Sequence, residues 1–243
     1  MKSVAIIQAR LGSRRFPGKV LQDLGGRPVL AHVVERCQAI PGISQVALTI
    51  PPLPEDDPLA DWADDHGIAC HRGQFPLAGT EANDCLAAYQ AAAYALNADV
   101  VVRVTADCPL IDSALAGEIL ALVGVMDAGG PAVFASNCRP MRTFPDGLDV
   151  EAFTAALLED AHYHEPASSP AREHVTGAIA RLLGPHELAR HNVRWSEDLS
   201  AVRWTVDTRA DLERLRQIVA HLPAGAFTLA DTRKAAEAAG LWP

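Results

Sequence analysis

Along the chain, short apolar runs rich in β-branched residues alternate with longer stretches of helical period. The runs at residues 4–9, 45–50, 68–71, 99–106 and 132–136 predict strands, because each is too short for a helix and is bounded by turn residues. Helical spacing predicts helices over 28–39, 58–66, 81–96, 113–127, 152–162, 172–183, 209–221 and 229–239. The first of these opens on Pro28, suited to a first helical turn, and places Leu30, Val33, Val34 and Cys37 on one face. The alternation predicts an α/β fold, a mainly parallel central sheet with helices on both faces. The proline-rich turn at 51–58 and the segment 164–170 are too short to be interdomain linkers, so residues 1–243 are taken as one domain with a less regular second half.

Composition narrows the function classes. At 243 residues the chain can bury a full core, and 49% hydrophobic against 21% charged residues excludes a disordered tail. The longest apolar runs fall short of a membrane span or a signal-peptide core, so a soluble, cytoplasmic protein with no membrane partner is expected. Five cysteines without a CxxC pair suggest neither a disulfide framework nor a zinc knuckle. A net charge of −9 disfavours any grip on a long nucleic acid. The charge is uneven, however: residues 1–22 carry Lys2, Arg10, Arg14, Arg15 and Lys19 and no acid.

Those cations follow the first predicted strand, in the string Gln8-Ala9-Arg10-Leu11-Gly12-Ser13-Arg14-Arg15-Phe16-Pro17-Gly18-Lys19. Glycines permit a close turn, exposed amides accept an anion, and guanidinium forks with a lysine point charge suit phosphate oxygens. The spacing is neither GxGxxG nor GxxxxGK[ST], and a solvated basic turn has the same composition. Two further acids end apolar runs. Asp107 follows the run at 99–106, and Asp207 follows 202–206, which reads as a strand. Acids at the carboxyl ends of parallel strands project into the ligand crevice and can hold magnesium, although either can also cap a helix. Asp112, just before a helical pattern, fits the capping role better.

The string IIQARLGSRRFPGKVLQDLGGRPVL resembles the N-terminal signature of sugar cytidylyltransferases, in which a loop of the form ARxGSxRxPGKxL wraps the triphosphate of CTP. The nearest resemblance is to the spore-coat polysaccharide biosynthesis type; enzymes that activate 3-deoxy-manno-octulosonate and sialic acids are more distant. RVTADCPLID, PDGLDVE, REHVT and RWTVDTRADLERLR resemble further family segments in the family's order, so the resemblance spans residues 3–216. It implies the Rossmann-like nucleotide-diphospho-sugar transferase fold and a homodimer. It also implies nucleotide contacts from Gln8, Ala9, Arg10, Leu11, Gly12, Ser13, Arg15, Lys19 and Asp107, with phosphate roles extending to Pro17 and Gly18. Arg10, Lys19 and Asp107 would be catalytic, and Asp107 with Asp207 would hold Mg2+. Asp146, Asp149, Glu151, Arg172, Glu173 and His174 would line the acceptor side, with Arg172 the best partner for an acidic or phosphorylated acceptor. Asp211 is left to its helix and Cys108 to packing.

Two departures stand out. Where many relatives carry DVLxRY, this chain has Asp84-Cys85-Leu86-Ala87-Ala88-Tyr89, so Ala88 replaces an arginine; Gly79-Thr80-Glu81 before it leave the register open. Pro51-Pro52-Leu53-Pro54 stands where relatives carry small hydroxyl residues. The expected activity is CMP transfer from CTP to a sugar or sugar-acid acceptor with diphosphate release, for surface polysaccharide or glycoconjugate synthesis. The alternatives are another nucleotide with a sugar phosphate or phosphonate acceptor, or a non-catalytic nucleotide-binding relative.

Overall fold

A computed structural model describes residues 1–73 and 84–242. In chain order, β1 (Ser3–Gln8) leads to a small ribbon of β2 (Asp23–Leu24) and β3 (Arg27–Pro28), then α1 (Val29–Gln38), β4 (Gln45–Ile50), α2 (Asp57–Asp65) and β5 (Ala69–Arg72). Next come α3 (Cys85–Ala95), β6 (Val100–Thr105), α4 (Ser113–Leu122), a second ribbon of β7 (Met126–Asp127) and β8 (Gly130–Pro131), and β9 (Phe134–Ser136). The remainder is β10 (Glu151–Thr154), α5 (Ala155–His164), α6 (Thr176–Arg190), α7 (Arg209–Val219) and α8 (Leu229–Ala238).

One six-stranded sheet runs in the order β5-β4-β1-β6-β10-β9. Strands β5, β4, β1 and β6 are parallel, and β10 is antiparallel to both β6 and β9. The central strand explains why the apolar runs are continuous: its alternate side chains enter two different cores. Ala5 and Ile7 belong to one core with residues of α1, α2, α4, α7 and α8, including Val33, Leu59, Ile119, Leu215 and Ala236. Val4 and Ile6 meet α3, α5 and α6 through Leu86, Tyr89, Leu158 and Ile179. Helices therefore cover both faces, as the sequence pattern predicts.

Several boundaries differ from expectation. The helix predicted over 152–162 begins only at Ala155, because residues 151–154 form β10, whose Glu151-Ala-Phe-Thr run is too short for its period to separate strand from helix. The helix predicted to 127 ends at Leu122, where Val123 turns extended and Gly124 takes φ 89°, feeding the β7–β8 ribbon. Segment 172–183 starts as a 3-10 turn at Pro170–Arg172 and becomes α6 only from Thr176; Gly184, at φ 70°, kinks that helix. Segment 202–206 is no strand of the sheet, joining its neighbour by a single bridge between Asp146 and Arg203. Residues 81–83 of the predicted 81–96 helix, and Gly79-Thr80-Glu81, lie outside the described residues.

Asp112 takes the capping role expected of it and does more. One carboxylate oxygen accepts from the amides of Ala114 (2.9 Å) and Leu115 (3.1 Å), and the other from the amide of Leu229 at 2.7 Å, so a single buried side chain ties together the N-terminal ends of α4 and α8. Losing a cap costs about 0.5–2 kcal/mol, and stranding a buried donor adds about 1–3 kcal/mol. Asp112→Ala is therefore expected to lower unfolding free energy by about 2–4 kcal/mol in urea titrations. A loss under about 0.5 kcal/mol, within the range of an ordinary surface change, would contradict the tie.

Candidate active site

Strand β1 is flanked by β4 on one side and β6 on the other, so the chain reverses its order of strand addition there and leaves a crevice beyond the carboxyl ends of β1 and β6. The crevice is a cleft of about 300 Å³. Gln8, Ala9, Arg10, Ser13, Arg14, Arg15 and Lys19 line it from the first loop, Asp107 from the end of β6, and Asp207 from near the C-terminus.

The loop is closed by its own backbone. The amides of Ser13 and Gly18 both donate to the Leu11 carbonyl, at 2.8 and 2.9 Å, and Gly18 sits at φ 69°, a left-handed conformation that glycine tolerates. The amide of Leu11 donates to Asp56 Oδ1 at 2.7 Å, and its side chain packs on the core. Asp56 is buried, and burial pushes its carboxyl up while the Leu11 amide pulls it down. The proline-rich turn thus buttresses the basic loop, a role no sequence signal marked, since Glu55-Asp56-Asp57 reads as an ordinary helix start. A Cβ on Gly12 would stand 3.1 Å from Glu55 Oε1, the end of an exposed side chain that would have to shift slightly to admit it. Leu11 and Gly12 do not line the cleft; the structure gives them the work of shaping the loop instead.

At the centre, Lys19 Nζ donates to Asp107 Oδ2 at 2.7 Å and to Asp207 Oδ1 at 2.9 Å. Arg15 lies 3.0 Å from Asp207, and Arg203 pairs with its other oxygen. Burial alone would lower the lysine and raise the acid, but their pairing wins in both cases. Lys19 is held above its ordinary value, and Asp207 below the usual carboxylate range. Three residues separated by up to 188 positions meet here because segment 202–206 is threaded past Gly147. The Trp204 amide donates to the Asp146 carbonyl at 2.7 Å, and the Val206 amide to the Asp107 carbonyl at 2.9 Å. At φ 112°, Gly147 would carry a Cβ 2.7 Å from the Trp204 backbone, so glycine is required there. Asp211 belongs to its helix, as expected: with Thr208 it forms a capping box at the start of α7.

The acceptor-side residues do not gather in one place. Asp149 and Glu151 line a second cavity of about 420 Å³ with Arg103, Arg139 and Arg142, three arginines that the sequence reading did not single out. Asp146 adjoins it through an ion pair with Arg142 at 3.3 Å. Arg172, expected to meet an acidic acceptor, is instead buried. Its Nε donates to Asp84 at 2.8 Å, and its terminal nitrogens reach the carbonyls of His162 and Glu165 and the His162 ring. With those donors committed, it ties the start of α3 to the end of α5. Glu173 is half-buried and His174 exposed, and neither lines the two cavities. Ala88 is fully enclosed on α3. Cys108 is buried, and its thiol is pushed well up by burial and by Asp107, in keeping with a packing role.

Residues 4–191 match the cytidylyltransferase family. The chain belongs to that family. A 3-deoxy-manno-octulosonate cytidylyltransferase of Anaeromyxobacter dehalogenans is 41% identical over 196 residues, 79% of this chain and 72% of that protein. Among solved structures, a cytidylyltransferase from Leptospira borgpetersenii superposes with a TM-score of 0.82 at 30% identity, covering 98% of this chain and 94% of that one. The CMP:2-keto-3-deoxy-manno-octonic acid synthetase complexed with CTP superposes at 0.60 and 19% identity, over 90% and 99% of the two chains, a likeness of fold.

In this cytidylyltransferase the second cavity holds an unusual acid. Burial pushes Asp149 up to about 6, against the pull of Arg142 and with the push of Asp146 and Glu151. An aspartate has a value of about 3.9 when unfolded. Between the two values the folded protein binds more protons than the unfolded one, so stability falls as pH rises through that window. Asp149→Asn removes the slope. Relative to the parent, the variant is expected to gain about 1–2 kcal/mol between about pH 4 and pH 7, read from urea midpoints. A difference that stays flat over that range would refute the assignment of Asp149 as a buried, titrating acid.

Proposed function

We propose that the protein transfers a cytidylyl group from CTP to a sugar or sugar-acid acceptor and releases diphosphate. The observation that carries this reading is the convergence of Asp107 and Asp207 on one cation seat beside the basic loop. The named activity of the 41% identical relative supports CTP and a sugar acid as the reactants. The resemblance of the N-terminal signature to spore-coat polysaccharide enzymes supports a role in surface glycoconjugate synthesis, by a homodimer in the cytoplasm.

In the proposed reaction an acceptor hydroxyl gives up its proton to solvent and its oxygen attacks the α-phosphorus in line with the bond to the bridging β-phosphate oxygen; that bond breaks, and diphosphate departs. Positioning and charge neutralisation supply most of the rate. Arg10, Arg15 and Lys19 would hold the β- and γ-phosphates and stabilise the leaving group, while the loop amides turn the triphosphate. Gln8 and Ala9 would form the floor of the nucleotide site.

The residues present fit magnesium. Two carboxylates converge on one ammonium at 2.7 and 2.9 Å, which is the geometry of a cation seat. Among the described residues no group of three or more His, Cys, Asp or Glu side chains can hold a metal, so this is no all-protein cage. Magnesium takes one or two carboxylates and completes its shell with phosphate oxygens and water. Asp107 and Asp207 would hold it, and when bound it would neutralise charge on the phosphates. Lys19 Nζ lies between the same two carboxylates, and the phosphates of a bound nucleotide would draw its ammonium away from the acids.

Asp107→Ala is expected to cut diphosphate release from CTP by at least about a hundredfold, with an unchanged circular dichroism spectrum. The assay pairs CTP, UTP, GTP and ATP with keto-sugar acids and sugar phosphates. Near-normal release by the variant would sink the site assignment, and nucleotide binding without release under every pairing would favour a sensor. Lys19→Met should bind Mn2+ at least about tenfold more tightly than the parent in the absence of nucleotide, measured by titration calorimetry. Equal affinities would mean that Lys19 does not occupy the metal's seat.

A further inference from the structure

Next to the nucleotide cleft, the 420 Å³ cavity is built from three strand-end segments of the sheet. Arg103 on β6 lies two residues before Thr105, which lines the cleft, so the two sites share one face of one strand about 7 Å apart. Register places Glu151 of β10 directly across from Arg103, and the two pair at 2.7 Å. Glu151 is buried, and its other oxygen accepts from Arg139 Nε at 3.3 Å. The Arg139 amide donates to Ser136 Oγ at 2.9 Å. Backbone and side chain of Arg139 are therefore both anchored to the sheet.

The charges of this cavity balance. Arg103, Arg139 and Arg142 face Asp146, Asp149 and Glu151, with Arg103 and Arg142 spending terminal nitrogens on those acids. Arg139 differs. It meets Glu151 through Nε only, its side chain is 44% exposed, and its two terminal nitrogens have no protein partner among the described residues. A guanidinium whose Nε is fixed presents the remaining edge as a planar fork, the geometry that receives a carboxylate. Beside three acids, a single open fork suits a monoanion; a phosphate would bring nearly two negative charges into the same place.

We infer that Arg139 is a specificity residue of the acceptor site, binding the carboxylate of a hydroxylated sugar acid, with Glu151 as its positioning residue. The inference rests on the cytidylyl-transfer reading and adds the side chain that selects an acidic acceptor. Arg139 takes the role that sequence reading gave to Arg172, whose donors the fold consumes.

The experiment uses the intact protein with CTP and Mg2+ and measures diphosphate release, and separately CTP binding by calorimetry. The acceptor probes are 3-deoxy-manno-octulosonate and N-acetylneuraminate, their C1 amides, and sugar 1-phosphates. The expected result is turnover with an acid probe, at least tenfold poorer kcat/KM with its amide, and poorer use of sugar phosphates. Arg139→Ala should raise KM for the acid tenfold or more with a much smaller change in kcat. Its CTP affinity should be unchanged, and Arg139→Lys should fall between the two because it restores charge without the fork. Any one of three results would overturn the inference: a KM for Arg139→Ala within twofold of the parent, equal use of acid and amide, or preference for a sugar phosphate. Normal CTP binding with no acid used also overturns it while leaving the nucleotide site standing. Failure to bind CTP removes the cytidylyl-transfer reading itself.

Discussion

A single ammonium held between two carboxylates is the contact on which the rest of the site depends. Lys19 comes from the loop after β1, Asp107 from the end of β6, and Asp207 from a late segment whose backbone bonds to Asp146 and Asp107. None of these is near another in sequence, so the contact forms only when the sheet, the loop and the C-terminal segment are all in place. Such a cluster is a poor source of net stability, because desolvating the three charges offsets most of their attraction. Its value is in the geometry it holds: two acids kept close enough to share one cation.

What keeps those strand ends still is burial on both faces of β1. Val4 and Ile6 on one side, and Ala5 and Ile7 on the other, have no exposed surface, so a shift along the strand would disturb two cores at once. The Asp112 tie between α4 and α8 acts in the same direction, locking elements far apart in sequence behind the β6 loop. Rigidity behind the site favours a mechanism that works by positioning, which relies on where the reactants are held.

The features legible in the sequence are those with a local signature. Buried parallel strands write continuous apolar runs, and helices packed against them write a 3.6-residue period, so the alternation of strands and helices and the covered sheet could be read directly. The basic loop and Asp107 were legible for the same reason: each is a short string attached to the end of a strand. What could not be read was everything set by pairing across distance. Strand β10 is four residues long and is defined by its register with β6 and β9, not by any periodicity of its own. Asp56 supports the loop through a turn forty-five residues away, and nothing in its neighbourhood distinguishes it from a helix cap. Arg172 illustrates the converse: an arginine in a suggestive motif can be consumed by the fold, and only the partners of its nitrogens reveal this.

The same distinction explains the charge pattern of the protein. In the cleft beyond β1 and β6, Arg10, Arg14, Arg15 and Lys19 outnumber Asp107 and Asp207, a positive excess suited to a compact polyanion inside a protein of net charge −9. In the neighbouring cavity three arginines face three acids, and little excess remains for a second polyanion. Two adjoining pockets on one strand face thus differ in electrostatic character in the way their cargoes would require. If both were strongly positive, a triphosphate could bind in either, and the acceptor would compete with a ligand carrying several times its charge. Pairing each arginine of the second cavity to an acid, while leaving one guanidinium edge open, separates the two by charge before shape is consulted.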